Sequence, residues 1–220
     1  MYKLNSFFSH ILDVFFPQVC VGCQTQGALL CKKCLARVPA APPTEHPFIH
    51  AVFDYRHPFI KDAVWRFKYK NMRGFAEVFA KKLYEEIIVD LGDGLYTSSN
   101  ETFLLVPIPL HKKRLRERGY NQSELLARAI IAYDKTNTFK PAPELLVRTR
   151  ATPPQARSEK RAMRLNNLRG AFTCTDPSRV RGRIIILIDD VTTTGATLEE
   201  ARRTLAAAKP RKILAFTVAH

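Results

Sequence analysis

Ile184-Ile185-Ile186-Leu187-Ile188 runs straight into Asp189-Asp190, and after Val191 come Thr192-Thr193-Thr194-Gly195-Ala196-Thr197. An apolar run of that length reads as a strand buried on both faces. In an open α/β sheet, ligands bind just beyond a strand's carboxyl end. Thr192 to Thr197 can offer successive backbone N–H groups and hydroxyls at a helix N-terminus, an arrangement that holds a dianionic phosphate. Gly195 lets the backbone approach closely. The two carboxylates would repel that phosphate unless they face another part of the same ligand. A vicinal diol suits them, because carboxylates accept hydrogen bonds from hydroxyls. Their charge would also favour a sugar that turns cationic as an anionic group leaves. Two other readings stand beside this one: a solvated Asp-Asp turn with an N-capping threonine run, and a Mg²⁺ site in a response-regulator or nucleotidase fold. Thr-Thr-Thr-Gly-Ala-Thr directly after the acids favours the phosphate.

A second chemistry lies near the N-terminus. Cys20-Val21-Gly22-Cys23 and Cys31-Lys32-Lys33-Cys34 are two Cys-x-x-Cys pairs with seven residues between them. Cys20, Cys23, Cys31 and Cys34 can present four thiolates tetrahedrally to one Zn²⁺, with Gly22 and Gly27 easing the turns. Four protein ligands leave no open position, so such a zinc is structural rather than catalytic. The alternatives are a pair of disulfides or four unrelated thiols, which a chain kept in a reducing compartment disfavours. Cys174 has no cysteine near it in sequence and is expected to be an ordinary buried thiol.

The elements that must position these groups follow from patterning. The chain has 220 residues and is 46% hydrophobic, enough for one sizeable α/β domain and a small accessory module. Lys and Arg number 35 against 20 Asp and Glu, a formal charge of +15 that favours phosphate-bearing ligands or nucleic acid. Leu4, Phe7, Phe8, Ile11, Leu12, Phe15 and Phe16 share one helical face, but Asn5, Ser6, Ser9, His10 and Asp13 break the stretch, so it is no secretion signal. That helix packs on the protein or a partner, or lies at a membrane surface. No segment approaches the roughly 18–20 apolar residues of a membrane span, and a cytoplasmic protein is expected. Pro39, Pro42, Pro43 and Pro47 mark residues 39–47 as the linker leaving the cysteine module. Residues 1–47 then form the helix, metal module and linker, and 48–220 the main domain.

Within it, a strand is expected at 49–55, helices at 59–69 and 75–88, and a polar turn at 92–100. Residues 103–109 form a buried strand ended by prolines. A helix at 122–132 follows, a loop at 134–143, a strand at 145–147, a short helix near 159–165 and a short strand at 171–172. The central strand at 184–188, a helix at 197–208 and a closing strand at 213–218 complete the pattern. Strands alternating with helices imply a mostly parallel sheet covered on both sides.

The apolar strand with Asp-Asp-x-x-Thr-Thr-Gly-x-Thr resembles the ribose-phosphate signature of type I phosphoribosyltransferases. Residues 103–109, then His111-Lys112-Lys113-Arg114-Leu115-Arg116-Glu117-Arg118-Gly119-Tyr120-Asn121-Gln122, Pro154-Gln155, Arg161, Asn166 and Gly170-Ala171-Phe172 are similar to the ComF family of competence-related, phosphoribosyltransferase-like proteins, which also begin with a double Cys-x-x-Cys module. The likeness spans nearly the whole chain from Cys20; Tyr120 stands where Phe is more usual.

That resemblance implies a fold, a ligand and roles. The fold is type I phosphoribosyltransferase-like, and the ligand is 5-phosphoribosyl 1-pyrophosphate bound with Mg²⁺, held mainly by the ligand's own oxygens. Asp189, Asp190, Thr192, Thr193, Thr194, Gly195, Ala196 and Thr197 bind the phosphoribose. The loop after Pro109 binds pyrophosphate through Lys112, Lys113 and Arg114. Arg116, Arg118 and Asn121 orient the helix start, bind the acceptor, or are a solvated basic face. Residues 148–169 are a flap, with Gln155, Arg157 and Arg161 closing over the substrate and Arg157 and Arg161 joining the two aspartates in catalysis. Lys68 lies on the acceptor side or decorates the surface. The activity implied is phosphoribosyl transfer to a nitrogen nucleophile with release of pyrophosphate. The alternative is a non-catalytic competence protein that handles single-stranded DNA, with a competence helicase or another DNA-processing partner, in which Tyr120 and Tyr69 are exposed to stack on bases.

Overall fold

The computed structural model describes residues 18–92, 102–149 and 168–220. The strands are β1 (Ile49–Phe53), β2 (Phe103–Pro107), β3 (Phe139–Pro141), β4 (Leu146–Arg148), β5 (Phe172–Cys174), β6 (Ile184–Val191) and β7 (Lys212–Ala219). The helices are α1 (Lys32–Leu35), α2 (Pro58–Tyr69), α3 (Phe75–Gly92), α4 (Lys112–Arg118), α5 (Gln122–Tyr133), α6 (Pro177–Val180) and α7 (Ala196–Ala206). Five strands pair in the order β1-β7-β6-β2-β3, every pair parallel, while β4 and β5 form a separate antiparallel pair. This is the expected mostly parallel sheet flanked by helices, with a cysteine cluster at its N-terminal end.

Successive side chains of a strand point to opposite faces, and the core divides accordingly. Ile184, Ile186 and Ile188 of β6 join Phe103, Leu105 and Phe216 under Phe67 of α2, Phe79 of α3 and Leu126 of α5. Ile185 and Leu187 join Leu104, Val106 and Ala215 beneath Leu198 and Leu205 of α7 and Phe172 of β5. Because both faces are covered, β2 and β6 need continuous apolar sequence rather than alternation. Phe75, Phe79, Leu83 and Ile87 of α3 are fully buried, each contributing roughly 1.5–3 kcal/mol of apolar burial.

Several elements differ from the sequence reading. Helix α3 runs on to Gly92, past the expected end at 88, burying Leu91 as a further apolar turn. The expected loop at 134–143 contains β3, whose proline is tolerated because the strand is at the sheet edge. The basic segment after Pro109 is a helix, α4, rather than a loop. His111 caps it by accepting from the Lys113 N–H at 3.3 Å, and Gly119 ends it with φ 75°, its N–H donating to Leu115 O at 2.8 Å. The linker begins against the sheet: Ala41 N donates to Val52 O and Asp54 N to Pro39 O, laying residues 39–41 along β1. Cys20, Val21, Leu29, Leu30 and Cys34 belong to the same core as Phe53 and Ile60. The expected helix near 159–165 and the apolar face from Leu4 to Phe16 lie outside the described residues.

Among the described residues no helix is long and apolar enough to cross a membrane.

Candidate functional site

At the carboxyl ends of β2 and β6 lies a cleft of about 280 Å³ whose walls come from β6, the Ile108 to Leu110 segment after β2, α2, α4, α5, β4 and the start of α7. Asp189, Asp190 and all of Thr192 to Thr197 line it. Strand β6 carries the acids to its end, Gly195 turns the chain at φ 71°, and α7 starts at Ala196 with no side chain capping it. The first N–H groups of that helix therefore have no intrahelical acceptor and carry its positive dipole end. Thr192 is an exception within the loop, because its N–H donates to Ala219 O at 3.1 Å.

The two carboxylates are held differently. Asp190 Oδ1 lies 2.9 Å from Lys68 Nζ and accepts from Val191 N at 2.6 Å. Asp189 Oδ1 accepts from Ser123 Oγ and from Asp190 N, both at 2.9 Å. Burial, reinforced by the Asp190 charge, pushes the Asp189 carboxyl up to about 7. Burial alone would lower Lys68, but Asp190 and then Asp189 outweigh it and hold the ammonium above its usual range. Lys68 is thus a wall of the cleft rather than surface decoration.

The cations of α4 divide by helical spacing. Arg114 and Arg118, four residues apart on one face, line the cleft. Lys112, Lys113 and Arg116 are exposed and do not line it. Arg118 donates to Gln122 Oε1 at 2.9 Å and to the Tyr69 hydroxyl at 3.3 Å. Asn121 sits at the start of α5, accepting from Ser123 N and donating to Ile108 O, both at 3.1 Å. Arg148, from β4, completes the wall; burial first and the Arg114 charge next hold its guanidinium below the usual range. Two guanidiniums pressing on each other across a cleft make a place where an anion gains and a cation loses.

Ser123, Gln122, Arg148 and Tyr55 line the cleft without having been assigned a role there; Gln122 closed the motif that begins at His111, and Arg148 opened the basic segment 148–169. Gln155, Arg157 and Arg161 lie outside the described residues. Tyr120 corrects the sequence reading: it is 7% exposed, its hydroxyl donates to Phe67 O, and Arg73 covers its ring at 4.7 Å. It is part of the core and cannot stack on a base. Cys174, expected to be buried, is half-buried at the end of β5.

The four N-terminal cysteines are free thiols whose Sγ atoms all lie within 4.8 Å of one another. Cys23 Sγ and Cys31 Sγ are 3.7 Å apart, close to the edge of about 3.8 Å of a tetrahedron with Zn–S bonds of about 2.3 Å. Gly22 is required there, since a Cβ would meet Cys34 Sγ at 2.7 Å. The Thr25 hydroxyl draws the Cys23 thiol down to about 6, while burial and hydrogen bonds from the neighbouring sulfurs push Cys34 up to about 12. Such a set of donors could hold a metal ion.

The profile of the phosphoribosyl transferase domain matches residues 128–220. The chain is 30% identical over 182 residues to the DNA utilization protein YhgH of Escherichia coli (strain K12), covering 82% of this chain and 73% of that protein. It is 33% identical over 158 residues to the competence protein ComFC of Bacillus subtilis (strain 168), covering 70% of this chain and 56% of the relative. A hypoxanthine-guanine phosphoribosyl transferase from L. donovani overlays 64% of this chain and 66% of its own at a TM-score of 0.40 and 15% identity, too distant to add to these. The chain belongs to the ComF family of phosphoribosyltransferase-like proteins.

Proposed function

We propose that the cleft binds 5-phosphoribosyl 1-pyrophosphate with Mg²⁺ and transfers the phosphoribosyl group to a nitrogen nucleophile, releasing pyrophosphate. The observation that carries this reading is convergence: a carboxylate pair, an uncapped helix start and three arginines face one cleft. The 5-phosphate takes the N–H groups and hydroxyls of Thr193 to Thr197, and the ribose diol donates to Asp189 and Asp190. Arg114 and Arg148 take the pyrophosphate in place of Lys112 and Lys113, which face away. Lys68 sets a positive charge 2.9 Å from Asp190 Oδ1, and the two carboxylates favour positive charge on the sugar as the pyrophosphate departs.

The cleft fits an ion that arrives with the ligand. It offers two carboxylates, one already paired with Lys68, the sparse donor set of Mg²⁺ bound mainly through phosphate oxygens. When bound, the ion would neutralise charge on the leaving pyrophosphate. The cysteine cluster takes a structural Zn²⁺ in this reading, all four positions being filled by thiolates.

Calorimetric titration with the sugar pyrophosphate and Mg²⁺ tests the proposal. Asp189→Asn/Asp190→Asn should lose at least about 100-fold in affinity, from two charge-assisted hydrogen bonds at about 1.5 kcal/mol each, with an unchanged circular dichroism spectrum. Equal binding by the double mutant would remove the ligand assignment, and binding with no product across a panel of bases would remove the transferase step.

A second reading, binding of single-stranded DNA, is favoured by one surface and by the relatives' names. Trp65 and Tyr69 on α2 are 46% and 60% exposed, with ring centroids 6.4 Å apart, Lys70 over one ring and Arg118 over the other. Aromatic rings interleaved with cations suit bases and phosphates. Trp65→Ala/Tyr69→Ala should weaken binding of an oligothymidylate roughly 10-fold or more, at about 1–3 kcal/mol per stacked base. Wild-type affinity that ignores ionic strength would dismiss this reading.

A further inference from the structure

The phosphate loop is crowded on its reverse face. A Cβ at Gly195 would sit 2.5 Å from His46 Cδ2, so the loop and the His46 ring are in direct contact. His46 does not line the cleft. Its Nε2 lies 3.3 Å from Thr194 O, and its Nδ1 lies 3.9 Å from Glu199 Oε2 in the first turn of α7. A carbonyl can only accept, so the ring nitrogen at Thr194 donates. The backbone of His46 is fixed in turn: Thr44 Oγ1 donates to His46 O at 2.8 Å, and Ile49 N donates to the same oxygen at 2.9 Å. At the other end of the loop His220 Nδ1 lies 3.4 Å from Thr192 O.

These contacts matter because a trans peptide unit points its C=O and its N–H in opposite directions, and the described residues contain no cis peptide bond. Holding Thr194 O from behind aims the Gly195 N–H into the cleft. Holding Thr192 O from behind does the same for the Thr193 N–H. We infer that His46 is a positioning residue, a donor that sets the peptide orientation of the phosphate loop from outside the cleft, with His220 acting in the same sense at Thr192. This rests on reading the loop as a phosphate site. It also gives a use to the pairing of residues 39–41 with β1, which leads the chain from the cysteine cluster toward His46 at the back of the loop.

The decisive variants differ in whether they keep a donor. His46→Gln keeps an N–H donor near the position of Nε2, His46→Phe keeps the ring without a donor, and His46→Asn is a smaller variant whose amide falls short of Thr194. Two readouts are needed: calorimetric affinity for ribose 5-phosphate, and amide hydrogen exchange of residues 191–197 in the ligand-free protein. His46→Phe and His46→Asn should bind roughly 10-fold more weakly than wild type, as expected for loss of one hydrogen bond, and should exchange faster in the loop. His46→Gln should stay within about 3-fold. Wild-type exchange and affinity in His46→Phe would overturn the inference, as would a His46→Gln protein as impaired as His46→Phe. If wild type itself does not bind ribose 5-phosphate while the exchange differences hold, the phosphate reading fails and the positioning role stands.

Discussion

The cysteine cluster and the cleft both gather like charges, and they resolve the repulsion in opposite ways. Four thiols from a stretch of fifteen residues, Cys20 to Cys34, crowd within 4.8 Å of one another. Among the described residues no side-chain cation is paired with any of their sulfurs, and their titration is pulled apart, Cys23 to about 6 and Cys34 to about 12. Four thiolates can coexist there only around a metal ion. In the cleft, Asp189 and Asp190 are also adjacent acids, but the protein supplies the counter-charge itself through Lys68 at 2.9 Å. The first site would close around a metal ion, and its Cys20 and Cys34 already belong to the core with Phe53 and Ile60. The second keeps its threonine loop and arginines facing an open cleft.

That contrast is broken most forcefully with one reagent. A strong chelator should lower the melting temperature by about 10 °C or more. Loss of a structural ion removes several kcal/mol, and each kcal/mol moves a domain of this size by about 2–4 °C. Cys31→Ser should do the same without chelator, and added Zn²⁺ should rescue the stripped wild type but not the variant. The open cleft should contribute nothing to this loss, because its acids are satisfied by Lys68, Ser123 and backbone N–H groups. Scanning calorimetry with elemental analysis decides it: an unchanged melting temperature in protein shown to have lost its metal would end the comparison.

The two regions also differ in how far the sequence exposes them. The Cys-x-x-Cys pairs and the run from Asp189 to Thr197 are legible because all their chemistry sits within one short segment. The far walls of the cleft are not. Ser123 meets Asp189 across 66 residues and His46 meets Thr194 across 148, and no local pattern marks either. Helix α4 escaped because Leu115 is its single apolar residue, so it has no hydrophobic periodicity. Its signals were the cap residues His111 and Gly119. Strand β3 was hidden by Pro141, which reads as a breaker unless the strand is known to be at an edge. Tyr120 looked available for stacking until its ring was found 6.2 Å from that of Phe67.

A smaller and sharper effect concerns Asp189. Burial and then the Asp190 charge push its carboxyl up to about 7, well above an ordinary carboxylate. An acid with a raised folded pKa binds its proton more tightly folded than unfolded, so its contribution favours folding below about 4. That contribution is lost progressively as pH rises from about 4 to about 7, then levels off. In the proposed reading binding runs the other way, because a ribose diol would need the ionised carboxylate as acceptor. Affinity for the sugar pyrophosphate should therefore rise between about pH 6 and pH 8 while the ligand-free protein loses stability across about pH 4 to 7. Asp189→Asn should flatten both trends, separating them from the ligand's own phosphate ionisation, which the variant leaves in place. Denaturant melts and calorimetry at matched pH values check this. If the variant keeps the wild-type slopes, Lys68 dominates both aspartates and the cleft resolves its charge as completely as a metal site would.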